Sequence, residues 1–74
     1  MKMILKYYIS TSVNLPVDAD SIEDALRIAR EDRTLAKVFE QIAISREDVV
    51  DAQVAIDSAD GTIMSDEYYD VEGF

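Results

Sequence analysis

The sequence contains neither cysteine nor histidine. Without cysteine there is no disulfide framework, no thiolate nucleophile and no cysteine-bearing zinc site, and nothing in the chain calls for an oxidising compartment. Without histidine the commonest general base and the commonest metal ligand are both missing. Carboxylates, tyrosines, lysines and hydroxyls are the reactive groups that remain. Long apolar runs are lacking too, none approaching the roughly 18 residues that span a bilayer. Lys6 interrupts the apolar opening Met1 to Ile9, and no small-residue cleavage site of the secretory kind follows it, so a cytoplasmic protein is expected. A further deficit is regional: no lysine or arginine occurs after Arg46.

That last absence organises the charge. Seven cations and sixteen carboxylates give a net charge of −9. Residues 1–46 hold all seven cations and seven of the carboxylates, and so sum to zero. The other nine carboxylates, Glu47, Asp48, Asp51, Asp57, Asp60, Asp66, Glu67, Asp70 and Glu72, carry the whole excess. Such self-repulsion opposes compaction, so it either serves solubility or forms a surface built to meet positive charge. The 49% hydrophobic content is ample for a globular core, and 74 residues suffice for one domain, residues 1–74, but not for two.

Along the chain the period changes twice. From Met3 the odd positions read Met3, Leu5, Tyr7, Ile9, Thr11, Val13, Leu15 and Val17, with Lys2, Lys6, Ser10, Ser12 and Asn14 among the even ones. This alternation predicts strand, with Ser10-Thr11-Ser12 marking either a bend within one long strand or, the better fit, the turn of a hairpin, and with the single proline, Pro16, placing the second half at a sheet edge. Ser21 and Asp24 then have the spacing of a capping box ahead of Ile22, Ala25, Leu26 and Ala29. The stripe breaks at Arg30-Glu31-Asp32-Arg33-Thr34 and resumes, rotated, as Leu35, Val38, Phe39 and Ile42. Either one helix curves through the break or a second begins near Asp32 to Thr34 under an acceptor side chain; two short helices fit better.

Alternation returns with Val50, Ala52, Val54 and Ile56 on one face and Asp51, Gln53 and Asp57 on the other. Asp60-Gly61 signals a tight turn, after which Thr62-Ile63-Met64 is expected to pair back. Ser65 to Phe74 reads as an edge strand or a tail pinned by its aromatics. The order ββα(α)ββ implies an α+β fold, a small antiparallel sheet of three to four strands with one or two helices on one face.

Few constellations carry chemistry. Asp57-Ser58-Ala59-Asp60-Gly61 superficially resembles a calcium loop, but Ala59 stands where an oxygen ligand is needed and the glycine comes one place early. No metal site, no cofactor and no catalytic residue is expected, because no nucleophile, base and oxyanion donor can be assembled from these residues. Arg27, Arg30, Arg33 and Lys37 recur at helical spacing, yet Glu23, Glu31 and Glu40 stand three or four residues away, and intrahelical pairing on a solvated face accounts for them. Direct nucleic-acid binding is not expected with this charge sign, nor is membrane binding.

The positive expectation is nucleic-acid mimicry. Alternate strand residues project to one face roughly 6.5–7 Å apart, about the spacing of successive phosphates, so Asp51 with its neighbours and Asp70 with Glu72 are candidates for a carboxylate row. The partner-binding set is Asp51, Asp57, Asp66, Glu67, Tyr68, Tyr69, Asp70 and Glu72, the tyrosines supplying contact area at low entropic cost. The short length, the missing cysteine and histidine, the acidic balance and the segment Asp66-Glu67-Tyr68-Tyr69-Asp70-Val71-Glu72 together resemble the small phage-encoded inhibitors that imitate DNA, anti-CRISPR proteins in particular. The run from Val17 to Leu26, a strand end leading into a capped helix, resembles many small phage and plasmid proteins. The first resemblance implies inhibition of a CRISPR effector complex at its DNA-entry or PAM-reading surface, inside the cytoplasm of a host bacterium. Such inhibitors share no sequence pattern, so it transfers no residue role. An accessory interaction module that pairs through a sheet edge or helix face, without mimicry, stays open as a second class.

Overall fold

The computed structural model describes residues 1–9, 11–42, 44–49, 51–65 and 67–71, with the backbone alone at Arg46. Two strands open the chain, β1 (Lys2–Ile9) and β2 (Thr11–Asp18). Two helices follow, α1 (Ile22–Ala29) and α2 (Asp32–Glu40). A 3₁₀ turn (Arg46–Asp48) leads to β3 (Gln53–Ser58) and the short β4 (Tyr69–Asp70). The strands form one antiparallel sheet in the order β2-β1-β3-β4. This is the expected α+β arrangement, with two helices rather than one curved one.

The period of two explains β1 and β2 together. Met3 pairs with Val17, Leu5 with Leu15, Tyr7 with Val13 and Ile9 with Thr11, so one parity occupies one face through both strands. Met3, Leu5, Tyr7 and Ile9 are essentially fully buried. The reversal is tighter than expected: Thr11 and Ser12 already belong to β2, and Ser10 lies outside the described residues. β2 is an edge strand with Pro16 exposed, as a residue that cannot donate to a ladder requires.

β1 is central. Its odd side chains meet Val54, Ile56 and Ser58 across the β1–β3 ladder, and the helices cover that same side. Ala25 and Ala29, both fully buried, let α1 pack close against the sheet, while Leu35 and Val38 anchor α2 in the same cluster. Each large aliphatic side chain sealed here contributes about 1.5–3 kcal/mol. Tyr7 carries a polar tip into the core, and its hydroxyl donates to the Ala29 carbonyl at 2.7 Å. A carbonyl at a helix C-terminus lacks an intrahelical partner, so the buried phenol and the helix end satisfy one another. Burial pushes the Tyr7 phenol well above its ordinary range.

The capping box is present with one shift. The Asp24 amide donates to the Ser21 hydroxyl at 3.1 Å, but the Asp24 carboxylate accepts from the amide of Asp20, one residue before the cap, at 3.2 Å. The cap position of α2 is Glu31, earlier than expected and extended at φ −72°, ψ 139°, with no side-chain cap bond. Its carboxylate takes Arg27 and Arg33 instead, each at 3.3 Å. Arg27 also holds Asp24 at 2.7 Å. Arg30 departs from the expected intrahelical pairing: it donates from Nε and Nη2 to the Asp70 carbonyl at 3.2 and 2.8 Å, tying the helical layer to β4.

After β3 the expected hairpin partner is displaced. Thr62-Ile63-Met64 contributes a single bridge, Asp57 with Met64, and the paired strand is Tyr69–Asp70. Side chains have captured the turn. The Asp60 carboxylate accepts from the Thr62 hydroxyl and the Ser58 hydroxyl, both at 2.7 Å, and from the Thr62 amide at 3.0 Å. The Ile63 amide in turn donates to the Ser58 hydroxyl at 2.9 Å. Such local bonds compete with a ladder. Gly61 sits at φ 79°, the left-handed conformation that the Asp60-Gly61 signal anticipated. Β3 itself starts later than the alternation suggested, at Gln53, leaving Asp51 ahead of the strand; Val50 lies outside the described residues.

Candidate interaction surface

The second face of the sheet is built from the even positions of β1 and the odd positions of β3. Lys6 lies opposite Ala55, Ile4 opposite Asp57, and Tyr8 opposite Gln53, which in turn pairs with Asp70. Tyr8, Gln53 and Asp70 therefore form a row across three strands. The helices sit on the other side, where Ala29 meets Tyr7.

The chain after β3 reaches this face through a broken edge. The Ser58 amide donates to the Ile63 carbonyl at 2.7 Å, the Ser65 amide donates to the Ile56 carbonyl at 2.8 Å, and the Ile56 amide donates to the Ser65 hydroxyl at 2.8 Å. Farther along, Val54 pairs with Tyr69, and the Val71 amide donates to the Ala52 carbonyl at 3.0 Å. The segment thus follows β3 at both ends and lies off it at Glu67 and Tyr68. Tyr68, within that excursion, stacks edge-to-face on Tyr8 with ring centroids 5.1 Å apart and planes at 83°.

Beside the rings, Lys6 Nζ binds Asp57 Oδ2 at 2.7 Å. The Asp57 carboxylate holds the Lys6 ammonium above the usual lysine range. A hydrogen bond with the Tyr8 hydroxyl raises the Tyr68 phenol above its ordinary range. Ala55 floors a hollow of about 260 Å³ walled by Tyr8, Tyr68, Lys6, Asp57 and Glu67.

The expected partner-binding residues divide accordingly. Asp57, Glu67 and Tyr68 line this hollow. Asp70 lies on the same face, exposed, with its backbone fixed by Arg30. Asp51 is exposed ahead of β3. Tyr69, half-buried opposite Val54, packs against the core. Asp66 and Glu72 lie outside the described residues. β3 places one carboxylate, Asp57, on the open face, so a carboxylate row does not run along that strand. Tyr8, Lys6 and Met64 were not among the expected residues. The available signal was Tyr8 itself, an aromatic on the parity that the alternation assigns to solvent.

Elsewhere Asp60, the residue of the calcium-like segment, spends its carboxylate on the turn. The Thr62 and Ser58 hydroxyls and the Thr62 amide lower its pKa to about 2. Among the described residues no three acidic side chains converge as a metal site would need, and no helix is long and apolar enough to cross a membrane. Comparison of the chain with protein-family models, with curated proteins and with solved structures found no match.

Proposed function

We propose that this protein is a small acidic inhibitor that binds the basic surface of a nucleic-acid-binding protein in competition with DNA. The observation that carries this reading is the asymmetry of charge along the chain: all seven cations lie at or before Arg46, and the nine carboxylates after it have no cation in their own segment. In the helical layer Asp24 and Glu31 are neutralised by Arg27 and Arg33. Beyond Arg46, Glu47, Asp48, Asp51, Asp60, Glu67 and Asp70 are all exposed and none has an ion-pair partner among the described residues; Asp57 alone is matched, by Lys6. A surface of unmatched carboxylates raises the local concentration of a cationic partner and speeds its docking, with a rate that falls as salt rises. A protein whose Lys and Arg side chains normally neutralise phosphates supplies that complement. The resemblance to phage-encoded anti-CRISPR inhibitors gives the reading a narrower form, in which the partner is a CRISPR effector complex and the covered surface is where it admits DNA.

The test is capture of partners from a bacterial lysate on the immobilised full-length chain at low and at high salt, followed by elution with duplex DNA. The reading expects a nucleic-acid-binding protein that is retained at low salt and released both by salt and by DNA. Partners indifferent to both treatments would overturn it in favour of an apolar interaction module.

A further inference from the structure

The edge-to-face contact between Tyr8 and Tyr68 has a geometric consequence. In such a pair the edge of one ring occupies one face of the other, so the remaining ring faces stay free for another group. Both tyrosines are about half exposed, at 45% and 54%. Exposed aromatic rings on an open sheet face are costly to leave in water, and the hollow beside them holds about 260 Å³, less than the roughly 300–1,000 Å³ of typical small-molecule sites. It is sized for a side chain.

Charge selects which side chain. Lys6 and Asp57 cancel within their 2.7 Å pair, and Glu67, on the same wall, is exposed without an ion-pair partner among the described residues. Among the described residues the local balance is one uncompensated negative charge beside free aromatic faces and two phenolic oxygens able to accept hydrogen bonds. An ammonium would satisfy the charge but is strongly hydrated and makes no planar stack. A guanidinium is planar, weakly hydrated, carries five donors and stacks on aromatic faces.

We infer that the hollow between Tyr8, Tyr68 and Glu67 is an arginine-receiving pocket, and that one arginine of the basic partner inserts there as the anchor of the interface. The inference rests on the proposed binding to a basic surface and sharpens it. Diffuse carboxylates steer the partner, whereas the ring pair and Glu67 discriminate arginine from lysine and fix the register of docking.

The experiment uses the full-length chain and two probes of equal length and charge, an oligo-arginine and an oligo-lysine peptide, with affinity read by titration calorimetry. The expected result is salt-sensitive binding of both, with oligo-arginine tighter by about five- to tenfold, the scale of a partly desolvated cation–π contact. Tyr68→Leu and Tyr8→Leu should each bring oligo-arginine towards the oligo-lysine affinity, Tyr68→Phe should keep the preference, and Glu67→Gln should weaken it. Circular dichroism of each variant establishes that the fold is intact; should Tyr8→Leu unfold, Tyr68→Leu and Glu67→Gln, both outside the strands, still decide the matter. Equal affinities in the wild type, or a preference that survives loss of the rings, would overturn the pocket and leave the acidic-surface reading standing. Absence of salt-sensitive binding to either peptide would overturn both.

Discussion

The two faces of the sheet come from the same strands and solve opposite problems. On one, Met3, Leu5, Tyr7, Val54 and Ile56 are sealed beneath α1 and α2, and the buried Tyr7 hydroxyl is bonded to Ala29. On the other, an ion pair, two stacked tyrosines and exposed Met64 stand open. Stability resides on the first face. The second carries aromatic surface and negative charge that the fold does not consume, and that difference is the physical basis for the proposal that recognition belongs to it.

The sharpest way to break the comparison is to truncate one side chain from each face. Leu5→Ala removes fully buried methyl groups beneath the helices and should destabilise the protein by about 2–5 kcal/mol, read from the urea midpoint. Tyr8→Ala, three residues along β1 on the open face, should cost within about 1 kcal/mol, the usual scale of a surface change plus one exposed aromatic pair. Equal losses would make the open face structural. Next in size is Tyr7→Phe, which leaves the Ala29 carbonyl buried without its donor and should cost about 1–3 kcal/mol. Ser21→Ala, which uncaps α1, should cost about 1 kcal/mol in the same assay.

The smallest effect concerns the turn that carries the chain towards the open face. Asp60 has a folded pKa of about 2 against an ordinary 3.8. A depressed carboxylate binds fewer protons in the folded state than in the unfolded one, so its contribution is complete above pH 3.8 and fades as pH falls towards about 2. The stability difference between wild type and Asp60→Ala should therefore be constant from neutral pH to about 4 and shrink below it. The difference isolates Asp60 from the other carboxylates, whose protonation relieves the general repulsion of a chain at −9. A difference that stays flat down to pH 2 would mean that the Ser58–Asp60–Thr62 bonds do not depend on the charge.

Much of this is legible in the sequence. The β1–β2 hairpin follows from parity alone, because Met3 to Val17 keeps its apolar set on one side through the reversal, and Pro16 marks the edge. Ser21 and Asp24 announce α1. The C-terminal pairing was not legible, since Thr62-Ile63-Met64 has strand-like composition while its amides are claimed by Ser58 and Asp60, a competition visible only in three dimensions. The candidate surface was half legible. Glu67 and Tyr68 stand out as acid beside aromatic, but their meeting with Tyr8 joins residues sixty positions apart through an excursion of the edge strand that no local spacing encodes. Tyr69 and Tyr68 are indistinguishable in sequence, and only the pairing of Tyr69 with Val54 sends one inward and leaves the other out.

The central claim, that recognition belongs to the open face, is tested most directly by reversing charge on each side and repeating the DNA-displaceable capture. Glu67→Lys changes the hollow beside Tyr68, and Glu23→Lys makes the same change on the exposed surface of α1. The account predicts that Glu67→Lys loses the partner while Glu23→Lys retains it, although both variants shift the net charge equally. Capture that falls by the same amount in both, or in neither, would contradict it.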